Sequence, residues 1–341
     1  MNDTVLVLGA GGCFGRAATT AFGQAGWRVR TLARTLPPTG REAGPAGLDE
    51  PDRGGRPGID IRIGDPRDAA TLDAAVDGVD VVVHAINPPY GRWAREAMPL
   101  ARSTIEAAAR HGATVLLPGN VYPHGRTLPA RLDEATPFAP SEALGRIRAE
   151  MEEAFRDASA RGVRTIVLRA GDFVAGERTG QWFEDHVLGR LDRDRVVYPG
   201  PLDRPHAWAW LPDLAAAAVG LAAIRDRLAP FEAVGFPGWS PTGEELVRAL
   251  ERVTGRALEV RSMPWPLLRL VAPFSADIRG VVSMRWLWER PHAIDGARLA
   301  ELLPGFRPVG LESGLRLALD RLGEPLAEGE ARSASAAEAC R

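Results

Sequence analysis

The sequence predicts an α/β fold, a doubly wound parallel sheet followed by a smaller, less regular C-terminal substrate lobe. Three observations carry that prediction. Over the first 170 residues, short aliphatic and β-branched runs alternate with Ala-rich helical stretches. The runs are apolar at nearly every position, as strands covered on both faces must be. A glycine-rich turn follows the first run directly, before a helix-prone segment. Strand and helix in alternation give a parallel sheet with helices on both sides.

The candidate strands are Thr4–Leu8, Arg28–Ala33, Ile59–Ile63, Val79–Ala85, Thr114–Leu117 and Arg164–Leu168, with amphipathic helices near 14–25, 68–77, 94–110 and 142–160. Residues 35–58, rich in Pro, Gly and Arg, read as an extended surface loop. Beyond residue 170 the rhythm breaks. A helix is expected near 212–226, and seven of the nine tryptophans fall at 182, 208, 210, 239, 265, 286 and 288. Such residues either wall an apolar ligand site or form the core of a small lobe. The closing GEARSASAAEACR reads as a disordered tail. The expected domains are a nucleotide-binding core over 1–170, a mixed lobe over 171–325 with part of the sheet returning near 208–235, and a tail over 326–341.

Composition bounds the function. With 341 residues, 42 basic and 44 acidic side chains and a net charge of −2, the chain has ordinary globular composition. Its overall balance gives no case for nucleic acid or an anionic membrane as partner. MNDTVLVLGAGG carries neither a basic leader nor a long apolar run, so a cytoplasmic protein without a membrane partner is expected. Cys13 and Cys340 exclude a disulfide framework, and six scattered histidines (84, 111, 124, 186, 206, 292) give no metal-site spacing. Lysine is absent, so all 42 basic residues are arginine. Schiff-base chemistry and lysine-assisted proton transfer are therefore excluded. Tyrosine occurs only at 90, 122 and 198.

The turn after the first strand reads Gly9-Ala-Gly-Gly12-Cys13-Phe14-Gly15-Arg16. Glycines at this spacing let the backbone turn tightly and approach a pyrophosphate, with helix amides offered to the phosphates. This predicts a Rossmann-like dinucleotide site with Cys13 as a spacer in the phosphate loop. No carboxylate occurs from Arg28 to Pro38, and Arg34 stands where a 2′-phosphate would lie, with Arg16 placed to assist. Arginine pairs with phosphate bidentately, so NADP is expected rather than NAD. Gly64-Asp65 places a carboxylate for the adenine amine, and Ala85 is expected beneath the nucleotide. His84 reads as a packed strand-end residue.

The glycine spacing, Gly64-Asp65, VVVHAI at the fourth strand, Leu168-Arg169-Ala170-Gly171 and the segment His206–Asp213 together resemble the extended or atypical short-chain dehydrogenases/reductases of the NAD-dependent epimerase/dehydratase family, over roughly 4–325. The resemblance implies a Ser or Thr after the fifth strand and a Tyr-x-x-x-Lys on the next helix. In the family the tyrosine is the acid/base, and the lysine lowers its pKa and holds the nicotinamide ribose. Aligning Val121-Tyr122 with the family's Val-Tyr-Gly puts Pro118 at the hydroxyl position. Aligning the helix on Glu150 puts Glu142 at the tyrosine and Arg146 at the lysine. Arg146 would then hold the ribose, and Glu142 would act as a base or simply pair with Arg146 on the helix surface. Tyr122 and His124, in the loop after the fifth strand, are the candidate proton donors, with Asn120, Asp172 and His206 near them. Tyr122-x-x-x-Arg126 is set aside, because Pro123 and Gly125 break a helix there. Three readings stay open: an NADP(H)-dependent oxidoreductase on a small, fairly apolar carbonyl or alcohol, a redox-silent NADP(H)-binding regulator, or a redox-neutral isomerase, cyclase or lyase. A homodimer through the helices near 94–110 and 142–160 is implied by resemblance alone.

Overall fold

The aliphatic runs lie side by side as seven parallel strands. These are β1 (Thr4–Leu8), β2 (Arg28–Ala33), β3 (Asp60–Ile63), β4 (Val81–His84), β5 (Thr114–Gly119), β6 (Thr165–Arg169) and β7 (Phe231–Gly235). Their order across the sheet is β7-β6-β5-β4-β1-β2-β3. The computed structural model describes residues 3–35 and 58–327. Residues 36–57 of the expected surface loop and 328–341 of the expected tail lie outside the described residues.

Alternation along each strand divides the core in two. Val5 and Val7 face α1 (Cys13–Gln24) and α5 (Leu211–Ala223), while Leu6 and Leu8 face α2 (Ala69–Val76), α3 (Trp93–His111) and α4 (Ala143–Ala158). Both sets are buried, which is why these strands read as unbroken apolar runs. The seventh strand is the return of the sheet near the end of the expected 208–235 interval. It pairs with β6 in the register Glu232↔Ile166. Trp208–Trp210 instead pairs with Asp172–Val174, outside the main sheet. Glu232 interrupts the apolar run of β7, and Arg298 satisfies that carboxylate at 2.9 Å.

The C-terminal lobe has its own core, which includes Trp208, Trp210, Trp239, Trp265 and Trp288. Trp286 packs in the core beside α3 and α4. These six tryptophans are therefore structural, and only Trp182 is partly buried against them.

α4 is tied to the sheet by charge. Glu152 meets Arg169, at the end of β6, at 2.6 Å, with 2% and 8% of the two side chains exposed. Arg169 also donates to the Asn120 carbonyl. Removing one member of a buried pair strands the other charge, which costs about 3–5 kcal/mol. Glu152→Ala is expected to lower unfolding stability by about that amount in a urea titration. An unchanged midpoint would show that the pair does not hold α4.

Candidate functional site

β1 leads through α1 to β2 on one side, and its other neighbour is β4, so the chain reverses direction at β1/β4. Crevices at such switch points, beyond the carboxyl ends of the strands, are where α/β sheets bind ligands. Here the glycine turn closes on itself. Gly9 has φ +84°, and a Cβ there would lie 2.6 Å from the Ala85 carbonyl oxygen. A Cβ on Gly15 would penetrate the Gly9 carbonyl, whereas one on Gly11 would meet nothing within 4 Å. The inner glycines thus permit close packing, and the outer face of the turn is open. α1 starts at Gly12 with no side-chain cap and no acidic residue in its first turn. Its first amides are left for an anion, and these residues fit a dinucleotide pyrophosphate. The structure therefore brings Gly9, Gly12, Gly15 and Ala85 together. Phe14 is buried and stacks on Phe173 at 6.3 Å. Burial pushes the Cys13 thiol up to about 11, overcoming the helix start and leaving it unreactive.

The arginines expected at a 2′-phosphate are differently placed. Arg16 turns across the glycine loop to Glu177 at 2.7 Å. Arg34 is exposed, and its charge acts on Asp65. Asp65 is itself gripped by Arg67 at 2.6 Å, which holds its carboxyl down at about 2.

At the other end, only one of the four expected catalytic residues lies among the inward-facing polar groups. The Tyr122 hydroxyl meets the Tyr90 hydroxyl at 2.7 Å. Burial raises both phenols, Tyr90 to about 12, and Asp172 pushes both the same way. An Asp172 carboxyl oxygen lies 2.8 Å from His206 Nε2, and the His206 ring stacks on Trp288 with centroids 3.9 Å apart. His124 is a correction. It is buried, with Nδ1 3.1 Å from the Pro137 carbonyl and its ring edge-on to Phe138. Burial lowers it to about 4, so it stays neutral inside its own loop. His84 is buried against Thr104 at 2.9 Å.

Glu142 and Arg146 are also corrections. Glu142 immediately precedes α4 and binds Arg126 at 2.7 Å, and Arg146 is exposed. The inward face of α4 carries Leu144, Arg148 and Glu152, all buried. Arg148 donates to the Pro118 carbonyl, and its Nε has no partner. Leu144 and Arg148 therefore occupy the inward places, two residues on from the expected pair. The sequence alone does not separate the two registers: Arg169 takes its buried carboxylate from Glu152 rather than Glu150.

A second missed group is Glu184, fully buried in the π-helical turn Trp182–Val187. One oxygen accepts from the Ala175 and Gly176 amides at 2.6 and 2.8 Å, and the other has no partner. It thus holds the segment that carries Glu177 to Arg16. Among the described residues, no cluster could hold a metal ion and no helix is long and apolar enough to cross a membrane.

Residues 5–227 match the family described as NAD dependent epimerase/dehydratase. The chain belongs to that family. No curated protein matches it. Among solved structures it is similar to MoeE5 in complex with UDP-glucose and NAD, at 17% identity over 93% of this chain and 98% of that one, with TM-score 0.71. It is also similar to the UDP-glucose 4-epimerase of Brucella ovis in complex with NAD, at 21% identity over 95% and 100%, with TM-score 0.70. The epimerase of Thermotoga maritima with UDP-glucose matches at 16% identity over 94% and 98%, with TM-score 0.70. The expectation of NADP is overturned. The family is NAD dependent, and both MoeE5 and the Brucella enzyme hold NAD. The physical reason for the misreading is that Arg16 is committed to Glu177, and Arg34 shares its surroundings with a carboxylate.

Burial raises Glu184 from 4.5 to about 7. A carboxyl raised on folding contributes stability that is full below about pH 4.5 and lost as pH rises through about 7. Wild type is therefore expected to lose more melting temperature between about pH 5 and pH 8 than Glu184→Gln does. Parallel pH profiles would contradict this.

Proposed function

We propose that the chain is an NAD-dependent oxidoreductase acting on a small, fairly apolar carbonyl or alcohol, with the Tyr122–Tyr90 pair handling the proton. The carrying observation is that pair, two phenol oxygens 2.7 Å apart. Nicotinamide, when bound, supplies the hydride. The chain's own residues do the rest. The uncapped amides at the start of α1 hold the pyrophosphate. Arg148 stands at the inward position of α4, where the family places its lysine. Its guanidinium keeps its proton near neutrality, so it binds and orients hydroxyl groups but cannot relay a proton.

The direction of reaction follows from the phenols. In the family a lysine lowers the tyrosine pKa. Here lysine is absent, and burial keeps both phenols protonated. A protonated phenol suits donation to an oxygen gaining negative charge, as in carbonyl reduction, and is a poor base for alcohol oxidation. The mutual hydrogen bond lowers Tyr90 and raises Tyr122, while Arg148 pulls Tyr122 down. Tyr122, on the loop after β5, is assigned as the donor and Tyr90 as its hydrogen-bonded support. Pro118 and Leu144, at the family's hydroxyl and tyrosine positions, favour a second reading in which NAD is held without turnover.

Tyr122→Phe is expected to cut NADH-dependent carbonyl reduction by ~10²–10⁴-fold with NAD affinity preserved, and Tyr90→Phe to cut it less. In wild type the rate should stay level through about pH 10, where an unburied phenol would already ionise, and fall only as the pH approaches about 12. Full activity in Tyr122→Phe removes it from the mechanism. NADH binding without turnover across a panel of carbonyl compounds would favour the second reading.

A further inference from the structure

Leu267, Leu270, Val271 and Phe274 are 58%, 70%, 36% and 88% exposed. They lie on α7 (Trp265–Val271) and the turn Ala272–Phe274 that extends it. Their spacing, i, i+3, i+4 and i+7, aligns them as one stripe. The opposite side of the helix is anchored. Trp265 is buried and its indole N–H donates to the Pro199 carbonyl at 2.7 Å, and Ala272 is buried as well. The chain then turns at Phe274 into α8 (Ala276–Ser283), and Arg279 donates back to the Ala272 carbonyl at 3.1 Å. α8 sits on the candidate site. Asp277 accepts from the Gly91 amide at 2.7 Å, and a Cβ on Gly280 would lie 2.7 Å from Tyr90.

We propose that this hairpin seats the protein on an anionic lipid bilayer surface, with the stripe and the Phe274 tip entering the acyl boundary. The proposal stands apart from the oxidoreductase reading. Two observations select the bilayer. The first is area. If a large apolar side chain presents ~200 Å², the four exposed fractions amount to roughly 500 Å². That is well short of the ~800 Å² each partner gives a stable protein interface, which argues against a second copy. Monotopic seating needs only an apolar face at the depth of the headgroups. The second is charge. The charged residues of the hairpin are Arg269, Asp277 and Arg279. Asp277 is used by Gly91, while neither arginine has an ion pair among the described residues. The local excess is positive, opposite to the chain's overall −2, and it attracts anionic headgroups at short range. No described helix is long and apolar enough to cross a membrane, so the contact proposed is with the bilayer surface. α8 would then place the Tyr90–Tyr122 pair directly behind a lipid-facing wall, where apolar substrates arrive by partition.

The test is sedimentation of the full chain with vesicles of phosphatidylcholine alone or with phosphatidylglycerol added. Wild type is expected to pellet with the phosphatidylglycerol vesicles and less with phosphatidylcholine alone. The Leu270→Asp/Phe274→Asp double variant is expected to lose at least ~tenfold in partition, with its melting temperature and NAD affinity unchanged because both side chains are exposed. Wild type remaining in the supernatant, or a variant that pellets equally, overturns the proposal. So does a variant that turns a dimer into a monomer by light scattering with lipid partition unaltered, since a second copy would then cover the stripe.

Discussion

The buried ion pair between Glu152 and Arg169 sets the rotation of α4, and the candidate site depends on that rotation. Arg169 ends β6 with its guanidinium inside the protein, where an unmatched charge is not tolerated. Glu152 answers it, and the Asn120 carbonyl takes a further N–H. One turn earlier on the same face is Arg148, bonded to Pro118 at the end of β5. One turn before that is Leu144. Residues two positions away on a helix point nearly opposite, so Arg146 faces water. The chemistry open to α4 is decided by which glutamate meets Arg169.

That dependence explains what was legible in the sequence. Strands and helices were readable because two-sided burial writes a continuous apolar run into each strand. The nucleotide turn was readable because the constraint on Gly9 and Gly15 is steric and local. α4 was not, because Glu150 and Glu152 differ only in their distant partner. The cofactor preference failed for the same reason. Arg16 looks free in sequence, yet its carboxylate is Glu177, 161 residues away. The tryptophans divided as composition allowed, and most became core, since burying a large ring in a small lobe is favourable wherever space exists. Tyr90 gave no signal beyond its scarcity. Only the fold brings its hydroxyl to Tyr122.

An all-arginine chain reshapes acid–base chemistry on this scaffold. A lysine can approach neutrality when buried and so shuttle protons, but arginine cannot. What remains near Tyr122 is a fixed positive charge at Arg148, a negative one at Asp172, and burial. Burial dominates, and both phenols move up. The same physics silences Cys13 and His124, each held in its neutral form by burial. In the proposed function the site therefore donates protons rather than accepting them.

The most direct test is calorimetric titration of NAD into Arg146→Met and Arg148→Met, each shown to be folded. With Arg148 inward and Arg146 in water, Arg146→Met should bind within about twofold of wild type and Arg148→Met about tenfold more weakly, a difference of ~1.4 kcal/mol. The reverse order would mean that α4 turns Arg146 inward instead, and Glu152–Arg169 would no longer set the geometry of the site.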